Sequence, residues 1–129
     1  MLPLVYTPAW IAASVLLVAV VIYGSLGTGA SMPSPGDLDK LAHFGAYFFL
    51  AFWFTGLVAR ANYWKVVLAL VGLGLALEIF QQLMERGRQG DPFDMAANAF
   101  GVASGLLLAL WLTGGWAGRI EVWLTKDRT

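Results

Sequence analysis

Four stretches of this chain are mainly apolar for about twenty residues each, the length a helix rising about 1.5 Å per residue needs to cross the hydrocarbon of a bilayer. They cover residues 9–26, 41–59, 66–84 and 92–112, and together they take up most of the sequence. The break at residues 60–65 combines Arg60 and Lys65 with Tyr63 and Trp64, aromatics suited to the membrane–water boundary. Pro92 fits the first position of a helix, and Gly114 with Gly115 ends one. The longest connection, residues 27–36, consists of small residues and prolines that cannot continue a helix; Ser31 and Ser34 read there as turn residues. The first span has no basic leading region and is longer than the apolar core of a signal peptide, about 7–15 residues, so it reads as a retained helix. The expected fold is an all-α membrane protein, a single domain over residues 1–129. It is a four-transmembrane-helix bundle with a short interfacial C-terminal helix. On that last helix Trp116, Ile120, Trp123 and Leu124 fall on one face, and Arg119 and Lys126 on another.

Composition agrees with lipid as the solvent. Of the 129 residues 59% are hydrophobic and 12% charged, with a mean hydropathy of +0.70, against roughly 45–50% and about 25% in soluble domains. Eight Lys and Arg balance eight Asp and Glu, which removes the basic signature of a nucleic-acid partner. Without cysteine there are no disulfides, thiolate nucleophiles or cysteine-held metals. Alternating four spans puts Arg60, Lys65, Arg119, Lys126 and Arg128 on one side and Lys40, Arg86 and Arg88 on the other. The excess of basic residues belongs inside, so both termini are expected in the cytoplasm of a multi-pass protein of the bacterial inner membrane.

The polar residues inside or beside the spans are patterned. Asp39, His43 and Tyr47 recur at i, i+4 and i+8 on span two. Glu78, Gln81, Gln82 and Glu85 share a stripe on span three, and Asp91, Asp94 and Asn98 share one on span four. An ionisable side chain facing lipid at mid-membrane costs on the order of 2.5–3.5 kcal/mol, so these stripes should face one another. Antiparallel spans place all three at the same end of the bundle, the outer side under the orientation above. Gly101 and Gly105, with Ala97 and Gly74, offer small surfaces on which the helices can approach.

The segment Asp39-Lys-Leu-Ala-His43-Phe-Gly-Ala-Tyr47, followed by Glu78-Ile-Phe-Gln81 and then by Gly87, Arg88, Asp91, Asp94, Asn98 and Gly101, resembles the VanZ-like family of small bacterial membrane proteins over about residues 37–107. The resemblance implies four membrane helices and a place in the cell envelope, where the founding member is associated with resistance to the glycopeptide teicoplanin. The family often has a proline just before its arginine. This chain reads Met84-Glu-Arg-Gly-Arg88, and Arg88 is preferred to Arg86 for that position because Gly87 precedes it.

The expected binding set is Asp39, Lys40, His43, Tyr47, Glu78, Gln81, Arg88, Asp91, Asp94 and Asn98. Its expected partner is an envelope lipid or a lipid-linked sugar headgroup: Lys40 and Arg88 pair with phosphate, while carboxylates and amides take hydroxyl or amine donors. An enzyme is a second reading, with His43 as acid or base, Asp39 orienting it, and Glu78, Asp91 and Asp94 around a hard divalent cation. A third is a self-paired structural network, and a fourth a transporter subunit, for which a homo-oligomer would form the path. The residues name no cofactor, and one histidine without cysteine makes a poor zinc set.

Overall fold

Backbone polar groups find no water in hydrocarbon, so a lipid-borne chain of this composition must bond them within each segment, and helices do so. The computed structural model describes residues 1–27, 36–84, 92–112 and 114–126. Ser31, Ser34, Glu85, Arg86, Gly87, Arg88, Asp91 and Arg128 therefore lie outside the described residues. Those described form α1 (Thr7–Gly27), α2 (Gly36–Leu57), a 3-10 turn (Arg60–Asn62), α3 (Tyr63–Leu83), α4 (Pro92–Trp111) and α5 (Trp116–Lys126). Pro92 does open α4.

Among the described residues, three segments are long and apolar enough to cross a membrane: Thr7–Leu26, Arg60–Leu83 and Pro92–Trp111. Helix α2 has 22 residues but does not join them on apolarity, since Asp39, Lys40 and His43 sit in its first turns. Of the four expected spans, three are thus supported among the described residues. The reason is positional. Helix α2 packs against α1, α3, α4 and α5, and it holds Tyr47, Leu50, Ala51 and Thr55, each no more than 1% exposed. A helix surrounded by protein can carry polar groups that a lipid-facing helix cannot. Helix α1 is the opposite case. It is apolar on all sides and leaves Val15, Leu16, Val20 and Tyr23 exposed, as a peripheral helix in lipid can.

The tightest seam joins α2 and α4. A Cβ built on Gly101 would collide with the Phe44 carbonyl oxygen and stand 2.9 Å from the Phe48 amide nitrogen. One on Gly105 would collide with the Phe48 carbonyl oxygen and stand 2.9 Å from the Ala51 Cβ. The Gly101-x-x-x-Gly105 pair therefore lets two backbones meet directly, and the association rests on van der Waals contact.

Antiparallel alternation is visible at both ends. At one end the Leu2 amide donates to the Leu57 carbonyl at 2.8 Å, joining the start of the chain to the end of α2. Gly114 and Gly115, at φ +65° and +59°, turn the chain from α4 into α5 beside Tyr63 at the start of α3. At the other end the Gln81 amide donates to the Ser25 carbonyl at 2.8 Å, linking α3 to α1.

Helix α5 departs from a simple interfacial helix. Ile120, Trp123 and Leu124 are exposed as expected, at 40%, 69% and 46%. Trp116 instead turns inward, because Gly56 leaves room for its indole. Its Nε1 donates to the Phe52 carbonyl at 3.0 Å, and its ring lies 5.7 Å from that of Trp10 and 5.5 Å from that of Trp53. One turn further on, Glu121 is 4% exposed and accepts from the Val5 amide at 2.6 Å, the Tyr6 amide at 2.7 Å and Trp10 Nε1 at 2.9 Å. A carboxylate from α5 thereby satisfies orphan donors at the start of α1. Burial pushes the Glu121 carboxyl upward, yet the three N–H donors outweigh it and hold it below its ordinary value.

Candidate functional site

The stripe at i, i+4 and i+8 on α2 points Asp39, His43 and Tyr47 along one side of the helix. Helix α4 meets that side because its glycines allow close approach, and it brings Asp94 from its first turn and Asn98 one turn later. Asp94 sits where the positive end of the helix dipole favours a carboxylate.

His43 is at the centre of the group and is 9% exposed. Its Nδ1 lies 3.2 Å from Asn98 Oδ1. An amide oxygen can only accept, so Nδ1 carries the proton and donates. The other ring nitrogen, Nε2, faces Asp39 Oδ1 at 3.9 Å and Asp94 Oδ2 at 4.0 Å. These separations are too long for hydrogen bonds.

Tyr47 lies deeper, at 1% exposure. A Cβ on Gly74 would stand 3.3 Å from both the Tyr47 hydroxyl and Asn98 Nδ2, so α3 closes over the group where it has no side chain. The Tyr47 hydroxyl has no hydrogen-bond partner among the described residues. Glu78, on the same α3 stripe, is 5% exposed.

One expected member, Gln81, takes another place. Gln81 is buried at 7% exposure but gives its amide to α1 at Ser25. Lys40 stands at the rim with its Nζ 5.7 Å over the Phe93 ring. Arg88 and Asp91 lie outside the described residues. The sequence pattern therefore brings together Asp39, His43, Asp94 and Asn98, with Tyr47 directly beneath.

Helix α1, which has no polar stripe, also contributes. Between it and α2 lies a cavity of about 280 Å³ lined by Val20, Gly24 and Ser25 from α1 and by Asp39, His43 and Tyr47 from α2. Gly24 and Ser25 are the only hint of this in the sequence, a small pair interrupting an apolar run near the end of the helix. Further along the same pair of helices runs an apolar groove of about 540 Å³ flanked by Ile11, Val15, Val18, Ile22, Phe54 and Val58. Polar cavity and apolar groove are both lined by α1 and α2. Chemically, the group offers an imidazole with one nitrogen held by an amide and the other turned to two carboxylates, which suits proton transfer, cation binding or the reception of hydroxyl and amine donors.

Compared with known protein families, residues 4–113 match the model described as VanZ/LLP1. No curated protein and no solved structure matches the chain.

Proposed function

Because the chain belongs to the VanZ/LLP1 family and carries helices able to cross a membrane, we propose that it recognises the headgroup of an envelope lipid or lipid-linked sugar at one face of the bacterial inner membrane. The observation that carries this reading is the grouping of His43, Asp39, Asp94 and Asn98 at one end of the bundle, where α1 and α2 line a polar cavity, with an apolar groove on the same two helices further along. A headgroup with hydroxyl or amine donors finds carboxylate acceptors there. Lys40, and Arg88 in the segment between α3 and α4, supply positive charge for phosphate. An acyl chain of the same molecule follows the groove between α1 and α2.

In this proposal α2 is the fourth span, shielded by its neighbours, and both termini are cytoplasmic, so the site faces outward. A link to glycopeptide resistance belongs to the same reading, as the resemblance implies, through a lipid-linked wall intermediate. The second reading is an enzyme acting on such a lipid, favoured by the placement of His43 Nε2 toward two carboxylates.

The test is to purify the full chain and its Arg88→Ala and Asp94→Ala variants in mild detergent and identify the retained lipids by mass spectrometry. Wild type should retain a lipid that both variants lose while remaining folded and membrane-inserted. Disappearance of the variants from the membrane would make the cluster structural. Lipid turnover that depends on His43 would move the assignment to the enzyme.

A further inference from the structure

Spacing along the chain suggests a hard cation among Glu78, Asp91 and Asp94, of which Asp91 lies outside the described residues. Among the described residues the structure groups another set of donors. Asp39, His43 and Asp94 each present one ligand atom, and the three atoms lie within 4.8 Å of one another. We infer that these three side chains form a binding site for one divalent cation of the first transition series, of the zinc or manganese type, opening into the cavity between α1 and α2.

The first argument is the direction of the ring. His43 Nδ1 is engaged by Asn98 Oδ1, so Nε2 is the nitrogen that faces two carboxylate oxygens, at 3.9 and 4.0 Å. Three atoms of metal-ligating type converge on one point. A metal-bound histidine whose other nitrogen donates to an oxygen is also how proteins fix the tautomer and ring direction of a ligand. The second argument is size. A cation at the centre of such a triangle stands at most about 2.5 Å from each donor, and a contraction of a few tenths of an ångström reaches the about 2.0–2.2 Å of Zn–N and Zn–O bonds.

A third observation is independent of the cluster. Tyr47, 1% exposed, lines the same cavity as Asp39 and His43, and its hydroxyl has no hydrogen-bond partner among the described residues. A buried hydroxyl without a partner calls for a bound water or ligand, and three protein donors leave a transition metal positions that solvent fills from the cavity. The imidazole selects against magnesium and calcium, which prefer all-oxygen sets. This site does not depend on the lipid reading, since it is defined by the protein's own donors.

The experiment loads the metal-stripped full chain in detergent with Co²⁺ and follows the visible d–d absorption, then displaces it with Zn²⁺. One equivalent per chain should produce the bands, and Zn²⁺ should abolish them while equimolar Mg²⁺ leaves them unchanged. His43→Gln and Asp39→Asn should weaken binding more than 100-fold. Asn98→Ala keeps all three donors and frees the ring, and it should weaken binding about 10–100-fold. That variant decides the matter if the ligand substitutions fail to fold. A wild type without bands, bands retained at full strength in the folded variants, or displacement by equimolar Mg²⁺ would each overturn the site.

Discussion

Replacing Gly101 by alanine adds one methyl group where α4 meets the backbone of α2, and the geometry allows its effect to be worked out. The new carbon would collide with the Phe44 carbonyl oxygen and stand 2.9 Å from the Phe48 amide nitrogen and 3.1 Å from the Tyr47 Cβ. Two of these are backbone atoms inside a helix, so they cannot swing aside as a side-chain tip would. Ordinary contact begins at 3.4 Å, so the helices must part by at least the 0.5 Å separating 2.9 from 3.4. His43 precedes Phe44 and Asn98 lies one turn before Gly101, so their 3.2 Å hydrogen bond spans the same seam and would stretch to roughly 3.7 Å, beyond bonding range. Overpacking costs about 1–3 kcal/mol and the loss of a buried hydrogen bond about 1–3 more, against a helix-propensity gain of about 1, giving a net loss of about 1–5 kcal/mol. Gly72→Ala is the matched control, because a Cβ there meets nothing within 4 Å; it should be neutral or stabilise by up to about 1 kcal/mol. Unfolding free energies of wild type and both variants, measured by steric trapping or SDS titration, compare the two directly. Equal shifts for Gly101→Ala and Gly72→Ala would refute the account of the α2–α4 seam and of its hold on His43.

Glu121→Gln should lower the melting temperature of the purified chain by weakening the acceptor at Val5, Tyr6 and Trp10, and Glu121→Ala should lower it further. Because the Glu121 carboxyl is held below its ordinary value of 4.5, its stabilisation is complete above that pH and is lost as the pH falls through the lowered folded value. Acid melting curves should therefore show wild type losing an advantage below pH 4.5 that Glu121→Gln never has. An identical acid response in both would remove the proposed clamp. For orientation, single cysteines at Ser31 and Gln89 should react with a membrane-impermeant reagent on intact cells while one at Asn62 does not, and the reverse pattern would place the site in the cytoplasm.

Apolar runs of helical length and polar residues at helical spacing are local properties, so the helices, the three polar stripes and their common end were legible from the residues alone. His43, Asp39, Asp94 and Asn98 were identifiable because an ionisable group beside lipid has few affordable places to point. Other features depend on which surfaces meet, and no spacing rule encodes that. Gln81 lies on the expected stripe yet bonds to α1, because Ser25 presents a carbonyl within its reach. Trp116 reads as interfacial and becomes a packing residue because Gly56, sixty positions earlier, leaves a space of its size. Glu121 reads as an ordinary charge on an exposed helix, and only the docking of α5 on the start of α1 gives it three donors. The convergence of Asp39 and Asp94 on a single nitrogen of His43 likewise requires the close α2–α4 crossing. Periodicity along one helix determined which side chains share a face, and contact between helices decided which atoms on those faces share a point.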